Sequence, residues 1–340
     1  VRPSYASEAD LADDAEEHAV DRSLAWYRNA RLFVHPGWEG EAERRLKELP
    51  DGTGIGPDAD WPVGDGSCGM IEGASSTIHP DGSQNWRYYL RNDCIGEASA
   101  AMALGGKLAD DANARQVAAN LNDFIYRHSC FAQGPRSAPA SPSFGLLSWH
   151  TLPPGDGVYY GDDNARSILG TMVAAAVLDE GRWDAQLLRC ILANLRTTGP
   201  LGFRNGRLGE EELQEKGWRH FHDLERTHIA PHYESWLWAC YLWAYRHTGY
   251  KPLLDKAATA IRITMDAYPE EWRWTNGIQQ ERARMLLPLA WLVRVDPSDQ
   301  HRTWLRTMAS ELLAGQAPCG AIGEEVGSPS RERGDRRRCG

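Results

Sequence analysis

Two kinds of helical segment alternate along this chain, and the alternation constrains its fold more than any other feature. The stretch "HYESWLWACYLWAYRHTG" (residues 232–249) carries large apolar side chains on every helical face, so a helix there must be buried all round. The stretch "WDAQLLRCILANLRT" (residues 183–197) is amphipathic instead, and its apolar stripe consists of Leu187, Leu188, Ile191, Leu192 and Leu195. Helices of the first kind need helices of the second kind around them, which predicts an inner ring sheathed by an outer one.

Four such pairs follow one another from residue 93, and an earlier helix is expected over about residues 15–32. The pattern therefore predicts an all-α fold, an (α/α) toroid of helical hairpins. No helical pattern follows the last pair, so the toroid is expected to be incomplete at its C-terminus. We assign residues 1–320 to one toroid domain and residues 321–340 to a disordered or truncated tail. The best strand signal is "GVYY", and irregular structure is expected over residues 50–84, 132–161 and 198–231.

Every predicted inner helix begins with a cluster of polar residues. The four clusters are "RNDCIGE" (91–97), "GDDNARS" (161–167), "HYESW" (232–236) and "QQERARM" (279–285). If inner and outer helices alternate, all inner N-termini lie at the same end of the ring. A single Asp or Ser at a helix start is typical of an N-cap, but arginine is disfavoured at that end of the helix dipole. The clusters therefore indicate a shared functional cleft.

The whole pattern resembles the six-hairpin, (α/α)6-toroid glycosidase-like superfamily over about residues 15–315. The local motifs that support the resemblance are "NWRYYLRNDCIGE", "YYGDDNAR", "HYESW" and "QQERARMLLPLAWL". That superfamily includes hydrolases of uronic-acid sugars, other glycosidases, sugar epimerases and polysaccharide lyases. Its uronide-acting hydrolases, of the β-glucuronidase type, are the most similar. The resemblance implies a catalytic domain that hydrolyses a saccharide containing uronic acid.

Hydrolysis of a glycosidic bond uses two carboxyl groups, one to protonate the leaving oxygen and one to activate water or attack the sugar. Asp163 and Asp93 are the leading acid/base pair, with Glu72 and Glu234 as reserves. Since Asp162 and Asp163 are adjacent, we expect Asp162 to cap the helix and Asp163 to face the cleft.

Sugar binding combines flat aromatic faces with forked polar groups. The chain has 14 tryptophans, and several aromatic residues adjoin the polar clusters. The arginines of these clusters, among them Arg284, indicate an anionic sugar, although they could instead pair with the neighbouring acids. The predicted substrate contacts are Trp86, Arg87, Tyr88, Arg91, Tyr160, Asp162, Arg166, His232, Tyr233, Glu281 and Arg282.

Two other functions are compatible with the same residues. In a toroid polysaccharide lyase, His232 and Tyr233 would act as base and acid beside a uronate carboxylate. In a non-catalytic, saccharide-binding helical scaffold, the polar clusters would be caps only. The histidines around residues 220–232 fit no zinc-ligand spacing, so we predict no metal and no cofactor.

Composition narrows the class of partner. The net charge of −10 disfavours non-specific binding to nucleic acid. The sequence has no run of 18 apolar residues without a charge, so no membrane partner is expected. No signal peptide is visible, although the chain begins with Val1 and an upstream segment could be missing. Seven cysteines without a CxxC motif indicate reduced thiols and a cytoplasmic location. The expected partner is an anionic saccharide, and a homo-oligomer is left open.

Overall fold

The structure is a computed structural model that describes residues 12–48, 53–153, 155–204, 206–318 and 320–324. It confirms the all-α toroid of helical hairpins. The helices of the predicted hairpins are α3 (Asn92–Leu108) with α4 (Ala112–Asp123), α5 (Gly161–Leu178) with α6 (Asp184–Arg196), α8 (Pro231–Thr248) with α9 (Lys251–Asp266), and α10 (Ile278–Val295) with α11 (Asp299–Ala314). The early helix is α1 (Ala15–Asn29), and it is followed by α2 (Glu39–Glu48).

The inner helices pack on one another in chain order. Helix α3 lies against α5, α5 against α8, and α8 against α10, while each outer helix packs on the inner helix of its own hairpin. Helix α8 has no exposed residue between positions 231 and 245, as its apolar faces predict. The outer helix α6 buries Leu187, Ile191 and Leu195, but Leu188 and Leu192 of the predicted stripe are 48% and 43% exposed. The buried stripe of α6 is therefore narrower than its sequence suggests.

Two glycines allow α3 and α5 to touch through their backbones. A Cβ on Gly170 would lie 2.1 Å from the carbonyl oxygen of Gly96, and a Cβ on Gly96 would lie 2.7 Å from the Cα of Ser167. Only residues without a side chain permit this approach. The close contact matters for the site because it brings the N-termini of α3 and α5 side by side.

A small sheet lies between α2 and α3 in the chain. Strands β2 (Ile71–Ile78) and β3 (Gln84–Leu90) form an antiparallel pair, and β1 (Thr53–Gly54) adds to the other edge of β3. The prediction of irregular structure over residues 50–84 was wrong for β2. Its sequence "IEGASSTI" is rich in small polar residues and has weak strand propensity, so its conformation depends on pairing with β3.

A second short sheet adjoins the start of α5. Strand β4 (Val158–Tyr160) confirms the "GVYY" signal and pairs with β5 (Arg207–Gly209). Helix α7 (Glu210–His222) lies within the segment predicted to be irregular. Gly217 interrupts this helix with a φ of 72°, which breaks the helical pattern in the sequence.

Other predictions concern the chain as a whole. Cys190 and Cys240 are buried free thiols, as expected, and Cys68, Cys94 and Cys130 are free as well. Within the described residues, no helix combines the length and apolar character needed to cross a bilayer. Most of the predicted tail, residues 325–340, lies outside the described residues.

Candidate active site

The polar starts of the four inner helices meet at one end of the toroid. Arg91, which precedes α3, donates from Nη2 to Oδ1 of Asp163 in α5 over 3.0 Å. On the other side of α5, Oδ2 of Asp162 lies 3.6 Å from Nε2 of His232 in α8. The backbone N–H of His232 in turn donates to Oε2 of Glu281 in α10 over 2.6 Å. The predicted convergence is therefore confirmed.

Asparagine side chains in two of the clusters attach a loop to this end of the toroid. The Nδ2 of Asn92 donates to the carbonyl of Ser148 over 2.5 Å. Asn164 accepts from the backbone N–H of Leu147 over 3.0 Å and donates to its carbonyl over 2.8 Å. These bonds place Trp149 over the guanidinium of Arg91, at 5.5 Å from the ring centroid. Both amides are buried, and their oxygens also accept from side chains, Asn92 from the Ser167 hydroxyl and Asn164 from Asn194, so their role is structural.

The α3–α5 side of the site is a closed network of ion pairs, which we call the ion-pair half. Arg91 forms a two-pronged pair with Asp93, through Nε–Oδ1 at 3.1 Å and Nη2–Oδ2 at 2.8 Å. Arg166 bonds Asp93 through Nη1 and holds Glu97 through two bonds of 2.7 Å. The members of the ion-pair half are Glu72, Arg87, Arg91, Asp93, Glu97, Asp163 and Arg166.

Asp93 and Asp163 form a buried carboxyl pair. Nη2 of Arg91 donates to Oδ2 of Asp93 over 2.8 Å and to Oδ1 of Asp163 over 3.0 Å, so one guanidinium nitrogen joins the two carboxyls. Burial raises the pKa of Asp163 well above its usual range, and the negative charges of Asp93 and Asp162 raise it further. Burial also opposes ionisation of Asp93, but Arg91 and Arg166 hold the pKa of Asp93 below its usual value. The proton therefore belongs on Asp163.

Asp162 does not cap α5, contrary to the prediction. The N-cap position of α5 is Tyr160, and its side chain makes no capping hydrogen bond. Successive helix residues point about 100° apart, and α5 lies between α3 and α8. As a result Asp163 reaches the α3 side, while Asp162 reaches the α8 side. Both carboxyls are buried and both belong to the site.

The α8–α10 side, which we call the open half, consists of Asp162, His232 and Arg284. Burial raises the pKa of Asp162 to about 6, against the opposing charges of Arg284 and Arg166. Burial, Arg284 and Arg166 lower the pKa of His232 to about 3, so its imidazole is neutral. The buried atoms Oδ1 of Asp162 and Nδ1 of His232 have no hydrogen-bond partner among the described residues. Buried polar atoms without a partner are uncommon in folded proteins.

Strand alternation separates the aromatic residues of β3. Tyr88 is fully buried, and its hydroxyl donates to the carbonyl of Ile55 and accepts from Arg45. The prediction that Tyr88 offers a stacking face is therefore wrong, because its ring is part of the core. Trp86 shares the Tyr88 side of the strand, whereas Arg87 and Tyr89 face the opposite side.

The aromatic residues that line the site come from four segments: β3, the loop that holds Trp149 and His150, β4 and α8. Tyr89 lies 4.9 Å from His150 between ring centroids, and His150 lies 4.6 Å from Trp149. Tyr160 stacks on Tyr233 at 6.4 Å and meets the Trp149 ring edge-on. Trp149 and His150 were not predicted, since they come from a loop whose own sequence carries no helical or strand pattern. Burial and Arg91 lower the pKa of His150 to about 4.

Two predicted site residues, Glu234 and Arg282, bind other parts of the protein. Glu234 is buried and accepts from the backbone N–H of Arg204 over 3.1 Å, and its other oxygen lies 3.0 Å from Nδ1 of His228. Arg282 bonds the Tyr268 hydroxyl and Glu311 of α11. These contacts place Glu234 against the 198–231 segment and Arg282 against the outer helix of its hairpin.

Glu281 differs from the other acids of the site because backbone N–H groups bond both of its oxygens. Its Oε1 accepts from the backbone N–H of Thr275 over 2.8 Å, and its Oε2 holds the start of α8. Burial raises the pKa of Glu281 to about 7.

No group of three or more His, Cys, Asp or Glu side chains in the described part of the chain is arranged to hold a metal ion.

Comparisons with known proteins found a similar fold but no similar sequence. No family model matches the chain, and no curated protein matches it in sequence. Among solved structures, the crystal structure of D-mannose isomerase is similar, with a TM-score of 0.52 and 8% sequence identity. The similarity covers 94% of this chain and 91% of that one. At this identity the similarity concerns the fold: the helical toroid of this protein resembles that of D-mannose isomerase over almost the whole chain.

Proposed function

We propose that this protein is a carbohydrate-processing enzyme, specifically a glycoside hydrolase that acts on a saccharide containing uronic acid. The observation that carries the proposal is the Asp93–Asp163 pair, in which burial and ionised Asp93 keep Asp163 protonated. A carboxyl group that retains its proton near neutral pH can donate it to the oxygen of a leaving group. The expected partner is an anionic saccharide, with no nucleic acid and no membrane involved.

We propose a supporting role for Asp93. Two catalytic carboxyls lie about 5 Å apart in retaining glycosidases and about 6.5–9.5 Å apart in inverting ones, because the sugar or a water lies between them. Asp93 and Asp163 instead bind the same Nη2 atom of Arg91, over 2.8 and 3.0 Å, so an arginine rather than a sugar lies between them. Asp93 therefore serves as a positioning residue that keeps the proton on Asp163.

Asp162 is the better candidate for the second carboxyl. Its pKa of about 6 means that it is ionised in the neutral range, while Asp163 on the adjacent position remains protonated. In the proposed reaction, Asp163 protonates the leaving oxygen as the glycosidic C–O bond breaks. Asp162 accepts a proton from the water that adds to the anomeric carbon. The charge of the two carboxyls together is unchanged at the end of the reaction.

An isomerase is the second candidate function. His232 is neutral, buried and has an unpartnered Nδ1, so it could remove a proton beside a sugar carbonyl. The similar structure belongs to a sugar isomerase, which makes this reaction class a direct competitor. A lyase that uses His232 with Tyr233 would begin with the same proton abstraction. Both alternatives predict dependence on His232 rather than on Asp163.

Turnover on a matched substrate panel tests these functions. The panel comprises p-nitrophenyl β-D-glucuronide, p-nitrophenyl β-D-glucoside, an acidic oligosaccharide and D-mannose. Nitrophenol release, ultraviolet absorbance of unsaturated uronate, and ketose formation are followed in parallel. We expect nitrophenol release from the glucuronide, reduced about a thousandfold in kcat by Asp163→Asn. The asparagine keeps the size of Asp163 and an oxygen that can accept from Arg91, so the fold should be preserved.

The control for this substitution is Asp266→Asn, which changes an exposed carboxylate paired with Arg262 on the outer helix α9. It should leave kcat unchanged. Ketose or unsaturated product that persists in Asp163→Asn but disappears in His232→Asn would replace the hydrolase with the corresponding alternative.

A further inference from the structure

The arginines of the site differ in how completely protein carboxylates occupy them. Arg91 contacts Asp93, Asp163 and Glu72, and Arg87 contacts Glu72 at 3.0 Å. The Arg166 side chain holds Asp93 and both oxygens of Glu97. A substrate carboxylate could bind these guanidinium groups only by displacing an acid that the protein itself supplies.

Arg284 is the exception among them. Its one hydrogen bond within the described residues runs from Nη1 to the backbone carbonyl of His232 over 2.8 Å. The nearest carboxylate oxygen is Oδ2 of Asp162, at 3.9 Å, which is beyond hydrogen-bonding distance. Arg284 is nevertheless 8% exposed, so a cation that has lost most of its water is left without a hydrogen-bonded anion. This arrangement is costly unless a ligand completes it.

The plane of the Arg284 guanidinium is fixed by its neighbours. The group lies over the Trp236 ring, 4.5 Å from the centroid, and is tied to the start of α8 through the His232 carbonyl. Stacking on an aromatic face orients a guanidinium while its N–H groups stay available for a carboxylate. An arginine oriented in this way loses little conformational entropy when it binds a two-oxygen acceptor.

We infer that Arg284 binds the anionic group of the substrate and so determines the preference for an acidic over a neutral sugar. This inference rests on the proposed function, because it concerns the same site. The two halves then differ in what their arginines bind. The arginines of the ion-pair half bind the protein's own carboxyls, and Arg284 binds the anionic group of the substrate. Asp162 restricts which anions can bind, because its negative charge repels any anion that does not contact the guanidinium of Arg284.

The acids near Arg284 support this division. Both oxygens of Glu281 are occupied by backbone N–H groups of Thr275 and His232, so Glu281 cannot turn to pair with Arg284 without breaking them. Asp162 is the other acid within reach, and its Oδ1 has no partner among the described residues. A sugar bound at Arg284 would therefore present its hydroxyl groups to Asp162 and to Nδ1 of His232.

Binding of sodium D-glucuronate, with D-glucose as the neutral equivalent, tests this inference by isothermal titration calorimetry. We expect the wild type to bind glucuronate about tenfold or more tightly than glucose, and Arg284→Gln to abolish the difference. Arg284→Lys should retain part of the preference because it keeps the charge but not the planar fork. The matched control is Arg294→Gln, which removes another arginine of α10 that lies over a tryptophan, 5.3 Å from the Trp291 centroid. Thermal melting of each variant verifies its fold.

The inference is overturned if the wild type does not prefer glucuronate, or if Arg284→Gln binds it as tightly as the wild type does. It is also overturned if Arg294→Gln weakens binding by the same factor. Binding and turnover separate the two proposals. A preference for glucuronate that depends on Arg284, together with no nitrophenol release, would reject the hydrolase while supporting Arg284 as the anion-binding residue.

Discussion

The two halves of the site contain similar side chains in opposite states of pairing. In the ion-pair half, each carboxyl oxygen of Asp93 meets an arginine, and Arg166 joins that carboxyl to Glu97. In the open half, Asp162 and Arg284 stand 3.9 Å apart and buried polar atoms lack partners. One half therefore has the features of a structural network, and the other has those of a binding surface.

This difference assigns most of the stability to one half and substrate binding to the other. A satisfied buried network fixes α3 against α5 and sets the protonation of Asp163, the one member of the ion-pair half that acts on the substrate in the proposed reaction. An unsatisfied cluster lowers the free energy of unfolding, and a ligand that completes it recovers that loss. Substitutions in the two halves should consequently differ in which property they change.

The largest expected effect on stability comes from Arg91→Gln. Its loss leaves Asp93, Asp163 and Glu72 with one fewer cation in a buried site, which should lower the free energy of unfolding by about 4 kcal/mol. Arg284→Gln removes no hydrogen bond from a carboxylate, so it should lower the free energy of unfolding by only about 1 kcal/mol. Urea denaturation measures both.

Arg44→Gln is the control for an exposed pair. Arg44 bonds Glu41 and Glu48 on the surface of α2, and its loss should leave the free energy of unfolding nearly unchanged because water screens exposed ion pairs. Equal destabilisation by Arg91→Gln and Arg284→Gln would remove the distinction between the halves.

A smaller and pH-dependent effect is expected from Asp162→Asn. Burial raises the pKa of Asp162 from 3.8 to about 6, so between these values the folded protein binds more protons than the unfolded chain. The free energy of unfolding contributed by this group therefore falls as the pH rises through that interval. Relative to the wild type, the variant should gain up to about 3 kcal/mol at pH 7 and nothing below about pH 3.

Urea denaturation across this pH range measures that difference. The comparison with the wild type cancels the opposite contributions of Asp93 and His232, whose pKa values are lowered in the fold. A difference that is independent of pH would show that Asp162 titrates normally and does not belong to an unsatisfied cluster.

The smallest effect is expected from the aromatic pair of β3. Tyr88→Phe should cost about 1 kcal/mol of stability, because it removes the hydroxyl that bonds Ile55 and Arg45. It should leave KM unchanged, since the ring lies in the core. Tyr89→Leu removes a ring from the site side of the strand and should raise KM about tenfold. Steady-state kinetics on the substrate identified by the panel distinguish the two, and an increase in KM for Tyr88→Phe alone would contradict the alternation.

Several parts of the fold could be predicted because their cause is local. The apolar faces of 232–249 require complete burial wherever that helix lies, and the amphipathic partners require a half-exposed position. Alternation of the two kinds then fixes the polar starts of the inner helices at one end. Helix α7 and strand β2 could not be predicted in this way, because Gly217 interrupts one pattern and small residues weaken the other.

The sequence by itself determined the helical toroid, the convergence of its polar helix starts, and the placement of Asp93 and Asp163 among them. Only the tertiary structure decided which carboxyl holds the proton, that Asp162 faces α8 rather than capping α5, and that Tyr88 is core while Trp149 reaches the site. The physical reason is that periodicity along a chain records burial, whereas charge pairing depends on distances between helices. Those distances are set by contacts such as Gly96 against Gly170, which no local pattern encodes.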